Sequence, residues 1–337
     1  MLRVFNGVFI LLVIAAVAAG FAWYDYRSSM QQVVTVDDGQ TFIVERGWSA
    51  KRTANELASL SIIEKPHWFY LHARFQPQLS GRNPAIKSGE YVLSQGTTAS
   101  DLYELLVAGK ARQYSHSIIE GTTFKQMLAS LSDVELLTKT SDAETAESVM
   151  AALGQPGVHP EGLFFADTYS FPRETSDIGF LRRAHETLNE VLAEEWENRD
   201  ADLPYASAYE ALVMASIIEK ETAVSAERPL IAGVFVSRLR LGMRLQTDPT
   251  VIYGIGDSYD GNIRRKDLRT DTPYNTYTRA GLPPTPIALV GREAINAALH
   301  PESTTKLFFV SKGDGTHYFS ETVEEHNEAV RKYQLKR

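Results

Sequence analysis

The 337-residue chain contains no cysteine. That absence excludes a disulfide framework, a thiolate nucleophile and a cysteine-ligated zinc. It also excludes a lipoprotein anchor, whose processing site needs the thiol. Long runs of Lys and Arg are missing too: 34 basic residues face 42 acidic ones, for a formal charge of −8. A nucleic-acid surface needs the opposite sign, because phosphates demand a basic footprint. The eight histidines include no pair at metal-ligand spacing. His317 and His326 lie near the end without a convincing acidic partner, so neither a metal nor any other cofactor is expected. Low-complexity tracts are absent, and a composition of 44% hydrophobic and 23% charged residues is that of a globular protein.

Only the N-terminus holds an apolar stretch long enough to span a bilayer. Gly7 to Tyr24 is 18 residues without a charge, at the lower edge of spanning length. Trp23, Tyr24 and Tyr26 stand at its outer end, where aromatic rings favour the membrane–water interface. Arg3 and the terminal amine precede it, so the positive-inside rule puts the N-terminus in the cytosol. Ala16-Val17-Ala18 resembles a signal-peptide processing site, but the stretch is long for a signal core. The expectation is an uncleaved single-pass anchor over residues 1–26, with everything from about residue 27 outside the cytoplasm.

A pattern recurs through the first third. Phe42-Ile43-Val44 leads through Gly47 and Ser49 into Ala50–Leu57. Tyr91-Val92-Leu93 leads through Gly96 and Thr98 into Ala99–Leu106. Ser117-Ile118-Ile119 leads through Gly121 and Thr123 into Phe124–Leu131. Each reads as a short strand, a glycine turn, a hydroxyl helix cap and an amphipathic helix. The first unit loosely resembles a LysM module, a small carbohydrate-binding fold, over about residues 40 to 110. Residues 132–158 read as a helix plus linker closed by the turn Gln155-Pro156-Gly157. The fold expected is α+β: anchor, a LysM-like module over 27–113, a strand–helix segment and linker over 114–158, and a mixed α+β domain over 159–337. In that last domain helices are expected at Ile178–Trp196, Ser207–Thr222, Arg228–Leu241, Arg292–Leu299 and Thr322–Tyr333. A strand at Lys306–Ser311 should pair with His317-Tyr318-Phe319.

The helix Ser207–Thr222 draws the closest reading. Ala208, Leu212, Ala215 and Glu219 share one face, so small side chains beneath a carboxylate leave room for a bulky ligand. Glu221 points about 200° away around the axis, so the two glutamates cannot serve one site together. Periodicity alone leaves either of them open as a catalytic group, and leaves open a plain solvated helix end. Downstream, Leu241 to Gly254, Tyr274-Asn275-Thr276-Tyr277 and Gly281 to Ile287 mix hydroxyl, amide and phenol groups. Such groups suit sugar binding, where rings stack on apolar faces and amides bond hydroxyls, and suit equally an ordered loop system filling its own bonds.

Ser216-Ile217-Ile218-Glu219-Lys220-Glu221-Thr222, Gly242-Met243-Arg244-Leu245-Gln246-Thr247-Asp248-Pro249-Thr250, Tyr274-Asn275-Thr276-Tyr277 and Gly281-Leu282-Pro283-Pro284 resemble the YceG/MltG family of endolytic murein transglycosylases. Glu161-Gly162 with Asp167-Thr168-Tyr169 resembles a further family motif, with Ala166 where the family usually has proline. The resemblance runs from about residue 40 to the end. It implies that 159–337 is the catalytic domain and that Glu219, first of the Glu-Lys-Glu-Thr run, is the catalytic acid/base. It implies a substrate of MurNAc–GlcNAc strands in nascent peptidoglycan, 1,6-anhydroMurNAc products, and possible coupling to peptidoglycan synthases at the bacterial inner membrane. Residue type and family position make Gln246, Asn275 and Tyr277 the expected substrate contacts. Asp248, before Pro249, is a turn cap or a second carboxylate. The expected site is a carboxyl group facing an open sugar groove. A hydrolase of the same strands and a non-catalytic glycan-binding scaffold are the alternatives.

Overall fold

The computed structural model describes residues 2–80 and 85–335. Leu2–Gln31 forms a continuous helix, α1. Within it, Gly7–Gln31 is the one span among the described residues long and apolar enough to cross a membrane. Its last turns carry folded contacts instead. The Tyr26 hydroxyl meets Nδ1 of His72 at 2.6 Å, and Met30 is buried.

β1 (Thr41–Val44) pairs antiparallel with β2 (Gly89–Val92), setting Thr41 opposite Val92 and Val44 opposite Gly89. Alternation puts Phe42 and Val44 inside and leaves Ile43 outside. Between the strands run α2 (Ala50–Ser59) and α3 (Pro66–Ser80), and α4 (Ala99–Ala108) follows. Phe42, Leu57, Phe69, Tyr91, Leu102 and Tyr103 form the middle of their shared core. The hydroxyl caps expected from sequence are in place: Ser49, Thr98 and Thr123 accept from the amides of Arg52, Asp101 and Gln126. The sequence reading places no element over α3.

Next come β3 (Gln113–Ser117), α5 (Phe124–Ser132), α6 (Ala146–Ala152) and β4 (Thr168–Pro172), which pairs with β3. The third expected strand is displaced. Ile118–Gly121 runs as a loop whose amides go to the carbonyls of Asp167 and Leu289, both at 2.9 Å. The remaining helices are α7 (Asp177–Glu197), α8 (Ala208–Glu221), α9 (Arg228–Arg240), α10 (Asp248–Ile255), α11 (Arg265–Arg269) and α12 (Arg292–Leu299). The hairpin β5 (Phe308–Ser311) and β6 (His317–Ser320) sets Phe309 opposite Phe319, and α13 (Val323–Tyr333) closes the chain. α10 stands where the sequence suggested irregular loop. Pro249 sits in its first turn, where a missing amide costs nothing.

The chain divides into two compact units. One runs to Tyr114 and includes Phe171–Glu174; the other takes Ser115–Ser170 and the chain from Thr175 on. In the second unit α8 is the central element, buried at every residue from Ala211 to Glu219. An apolar perimeter of this kind demands neighbours on all sides, and α12, α7, α9 and α10 supply them. α12 is the principal one, and its Ala294, Ala297 and Ala298 are buried. The room under Glu219 that small residues promised to a ligand is therefore occupied: Leu212 and Ala215 are fully buried.

Gly233 in α9 allows the carbonyl of Glu302 to approach; a Cβ there would lie 2.1 Å from that oxygen. Alanine ordinarily stabilises a helix interior relative to glycine, but here the backbone clash outweighs that gain. Gly233→Ala should lower stability by about 1–3 kcal/mol in urea unfolding. A stabilised variant would show that residue 302 can withdraw freely.

Candidate active site

The C-terminal turn of α8 delivers two glutamates to different surroundings. Glu219 lies against the start of α12 and α9. Its Oε1 accepts from Nη2 of Arg228 at 2.7 Å, and its Oε2 accepts from the amide of Gly291 at 3.1 Å. Its side chain is 3% exposed, so the expected open groove is not what surrounds it. The carboxyl is seated on a guanidinium instead. Arg228 also donates Nη1 to Glu293 at 2.7 Å and approaches Glu120 with Nη2 at 3.7 Å, while its buried Nε has no hydrogen-bond partner. Glu293 and Glu120 are 61% and 48% exposed, so the cluster meets solvent at those two carboxylates.

Burial is the main force raising the proton affinity of Glu219; the Gly291 amide and Arg228 pull it back, and Glu120 and Glu293 push it up. The negative end of the α8 dipole acts in the same raising direction. The result is a carboxyl that holds a proton more readily than a free glutamate, as an acid catalyst must.

Glu221 faces the other way. The hydroxyl of Thr247 donates to it, and burial pushes its carboxyl up to about 7, moderated by that hydrogen bond and reinforced by Asp248. Arg238, itself buried, bonds the carbonyls of Leu307 at 2.6 Å and Leu245 at 2.7 Å and holds this loop layer in place. Asp248, the expected turn residue or second carboxylate, opens α10 and accepts from the Tyr277 hydroxyl at 2.6 Å.

The three expected sugar contacts belong to this loop layer. Gln246 is exposed with φ 52°, its amide bonded to the Thr276 carbonyl at 3.2 Å. Tyr277 is half-buried on Asp248. Asn275 departs from expectation. It is fully buried, its Nδ2 donates to the carbonyls of Asp267, Leu268 and Thr270, and its Oδ1 accepts from the Tyr277 amide. An amide so committed shapes the loop and has nothing left for a sugar. Gln246, Asn275 and Tyr277 are thus gathered with Glu221, while Glu219 has a separate set of partners.

Arg228, Glu293 and Glu120 escaped the sequence reading. One signal was available: an arginine at the first position of a helix sits at the positive end of the dipole, where a cation is disfavoured unless something else holds it. Glu161 shows how a family motif can be structural. Buried, it accepts from the Phe124 amide at 2.9 Å and the Tyr253 hydroxyl at 3.0 Å.

Because the folded-state value of Glu221 lies above the ordinary 4.5, the folded chain binds that proton more tightly than the unfolded one. Its contribution is whole below pH 4.5 and is lost as pH rises through about 7. Glu221→Gln should therefore stabilise the protein at pH 8 by on the order of 1–3 kcal/mol and leave it unchanged at pH 4. Thermal unfolding at the two pH values tests this; an equal effect at both would remove the burial argument.

A buried carboxyl and a guanidinium are thus paired where three helix ends meet in an α+β unit. The chain belongs to the YceG-like family, which matches residues 42–332. The family resemblance carried by its motifs is borne out. A Bacillus subtilis (strain 168) protein named endolytic murein transglycosylase is 30% identical over 91% of this chain and 89% of its own length. A protein of the same name from Streptococcus pneumoniae serotype 2 is 24% identical; the match covers 95% of this chain and 63% of that longer relative. The solved structure of a yceG-like protein from Listeria monocytogenes superposes with a TM-score of 0.53 at 29% identity, covering 87% of this chain and 99% of that one.

Proposed function

We propose that this protein is an endolytic lytic transglycosylase of peptidoglycan that cleaves MurNAc–GlcNAc bonds, with Glu219 as its acid and base. The observation that carries the reading is the near full-length match to the Bacillus protein of that name. The raised proton affinity of Glu219 supports the choice of acid.

Glycosidases that use water need a second carboxylate to activate it or to attack carbon. A lytic transglycosylase can work with one. Glu219 gives its proton to the bridging oxygen as the C1–O4 bond breaks, and GlcNAc leaves with that proton. The C6 hydroxyl of the muramyl ring then closes on C1, and its proton returns to Glu219. The nucleophile belongs to the substrate, so closure has an entropic advantage over capture of free water. A water molecule is neither consumed nor released.

Glu221 offers a second reading of the acid. Its carboxyl titrates near 7, the value suited to proton transfer at neutral pH, and the loops rich in sugar-binding residue types surround it. Substitutions at the two glutamates separate the readings.

The order strand–helix–helix–strand from β1 to β2, with antiparallel pairing, supports a LysM-like module that holds the glycan near the membrane. The most apolar 18-residue stretch of α1, none of it buried, supports a single-pass anchor that leaves the chain from about residue 27 outside the cytoplasm. Incubating the full-length chain in detergent with nascent glycan strands and weighing the products tests the reaction. Ends lighter by one water than reducing ends are expected. Reducing ends would make it a hydrolase, and uncut strands that remain bound would make it a scaffold.

A further inference from the structure

The reading of Glu219 as the acid leaves a physical difficulty. As it stands, Glu219 is paired with Arg228 at 2.7 Å, and a carboxylate in an ion pair resists protonation. Something must take the guanidinium when the proton arrives. Two carboxylates are within reach. Glu293, on the first turn of α12, already holds Nη1. Nη2, the donor used by Glu219, has one other acidic neighbour among the described residues, the carboxylate of Glu120 at 3.7 Å.

Glu120 is held there by more than charge. Its loop is fixed on both sides, by the Ile118 amide on the Asp167 carbonyl at 2.9 Å before it and by the Gly121 amide on the Leu289 carbonyl at 2.9 Å and the Leu289 amide on the Thr122 carbonyl at 2.8 Å after it. Lys220 adds a bond from Nζ to the Gly121 carbonyl at 2.9 Å. The Glu120 carboxylate itself lies on Gly291: a Cβ at that position would fall 1.8 Å from Oε1. Gly291 has φ −91°, which any residue adopts, so a side chain there would meet the Glu120 carboxylate and no backbone strain. The same residue gives its amide to Glu219. One glycine thus seats both carboxylates beside one guanidinium.

We propose that Glu120 is a positioning residue for the acid step: it accepts Nη2 of Arg228 when Glu219 takes up its proton, and so lets Glu219 leave the ion pair without stranding that donor, while Glu293 keeps Nη1. The charged groups facing Glu219 are Arg228 from α9, Glu293 from α12 and Glu120 from the loop before α5. On α8 itself, Lys220 is engaged with Gly121 and Glu221 points to Thr247. Without Glu120, Arg228 stays on Glu219 and a like charge is lost from its vicinity. Both changes hold Glu219 ionised, so the alkaline limit of activity moves to lower pH.

The test is the pH profile of anhydro-end release by the full-length chain in detergent, for wild type, Glu120→Gln, Glu120→Asp and Gly291→Ala. Glu120→Gln should shift the alkaline limb of kcat/KM down by about one pH unit, which is about a tenfold loss above the limb and little loss below it. KM should stay within about twofold, because Glu120 acts on proton transfer and not on uniform binding. Glu120→Asp, which keeps the charge, should restore most of the limb. Gly291→Ala should shift it in the direction of Glu120→Gln by pushing the carboxylate aside, and it carries the test if Glu120→Gln does not fold. A limb that stays in place in both variants, or a loss equal at every pH, overturns the proposal. Glu219→Gln in the same assay separates the two levels. If it is inactive while the Glu120 profiles match wild type, only the positioning role fails. If it remains active, the acid assignment fails and the proposal with it.

Discussion

Glu219→Gln should reduce anhydro-end formation by about 10²–10⁴-fold, the usual worth of a positioned proton donor, while glycan binding persists. The amide is nearly isosteric with the carboxyl. Its oxygen can still accept from Arg228 or Gly291, the two donors that hold Glu219 at 2.7 and 3.1 Å. What it lacks is an acidic proton for the bridging oxygen and a basic site for the C6 hydroxyl proton, so both halves of the reaction fail together. The loss should appear in kcat with KM little changed, because the interaction is made at the reacting atoms. Glu221→Gln is the paired measurement. It removes a carboxyl whose partner is Thr247, and substantial turnover should remain. Inactive Glu221→Gln with active Glu219→Gln would transfer the acid role to Glu221 and its loop layer. Equal loss in both would leave neither choice supported.

The split between those two glutamates marks the boundary of what could be read without coordinates. Local signals were legible because they act over a few residues. Ser49, Thr98 and Thr123 cap the helices they precede, Pro229 sits in the first turn of α9, and Phe309 meets Phe319 across a hairpin. The angle separating Glu219 from Glu221 is a property of one helix and needed no tertiary knowledge. Their partners did. Arg228 is nine residues from Glu219, but Glu293 and Gly291 are more than seventy residues on, and Glu120 lies about a hundred residues before. Composition does not encode such long-range pairing. Asn275 misled for a related reason. Its amide suits a sugar hydroxyl and a backbone carbonyl equally, and only the fold shows that the carbonyls of Asp267, Leu268 and Thr270 claim it. The small face of α8 was ambiguous in the same way, since alanines admit a neighbouring helix as readily as a ligand.

Arg228→Ala should be the most destabilising single change in the cluster, costing about 3–5 kcal/mol at neutral pH, the range for stripping one partner from a buried ion pair. The loss falls on Glu219 rather than on Glu293 or Glu120. Those two are 61% and 48% exposed and can turn to water, whereas Glu219 is 3% exposed and cannot. Deprived of the guanidinium, its carboxyl rises further above the ordinary 4.5, so the folded variant binds the proton more tightly than the unfolded chain. Stability of the variant therefore approaches that of the wild type below pH 4.5 and falls away as pH rises. Urea unfolding at pH 4 and pH 7.5 should show a small deficit at the first and the full deficit at the second. The double variant Glu219→Gln with Arg228→Ala should recover most of the difference at pH 7.5, because the uncompensated charge is gone and only the packing of the arginine stem is missing. A deficit that ignores pH and survives the double substitution would mean that Arg228 stabilises by filling space, and that Glu219 is already protonated beside it.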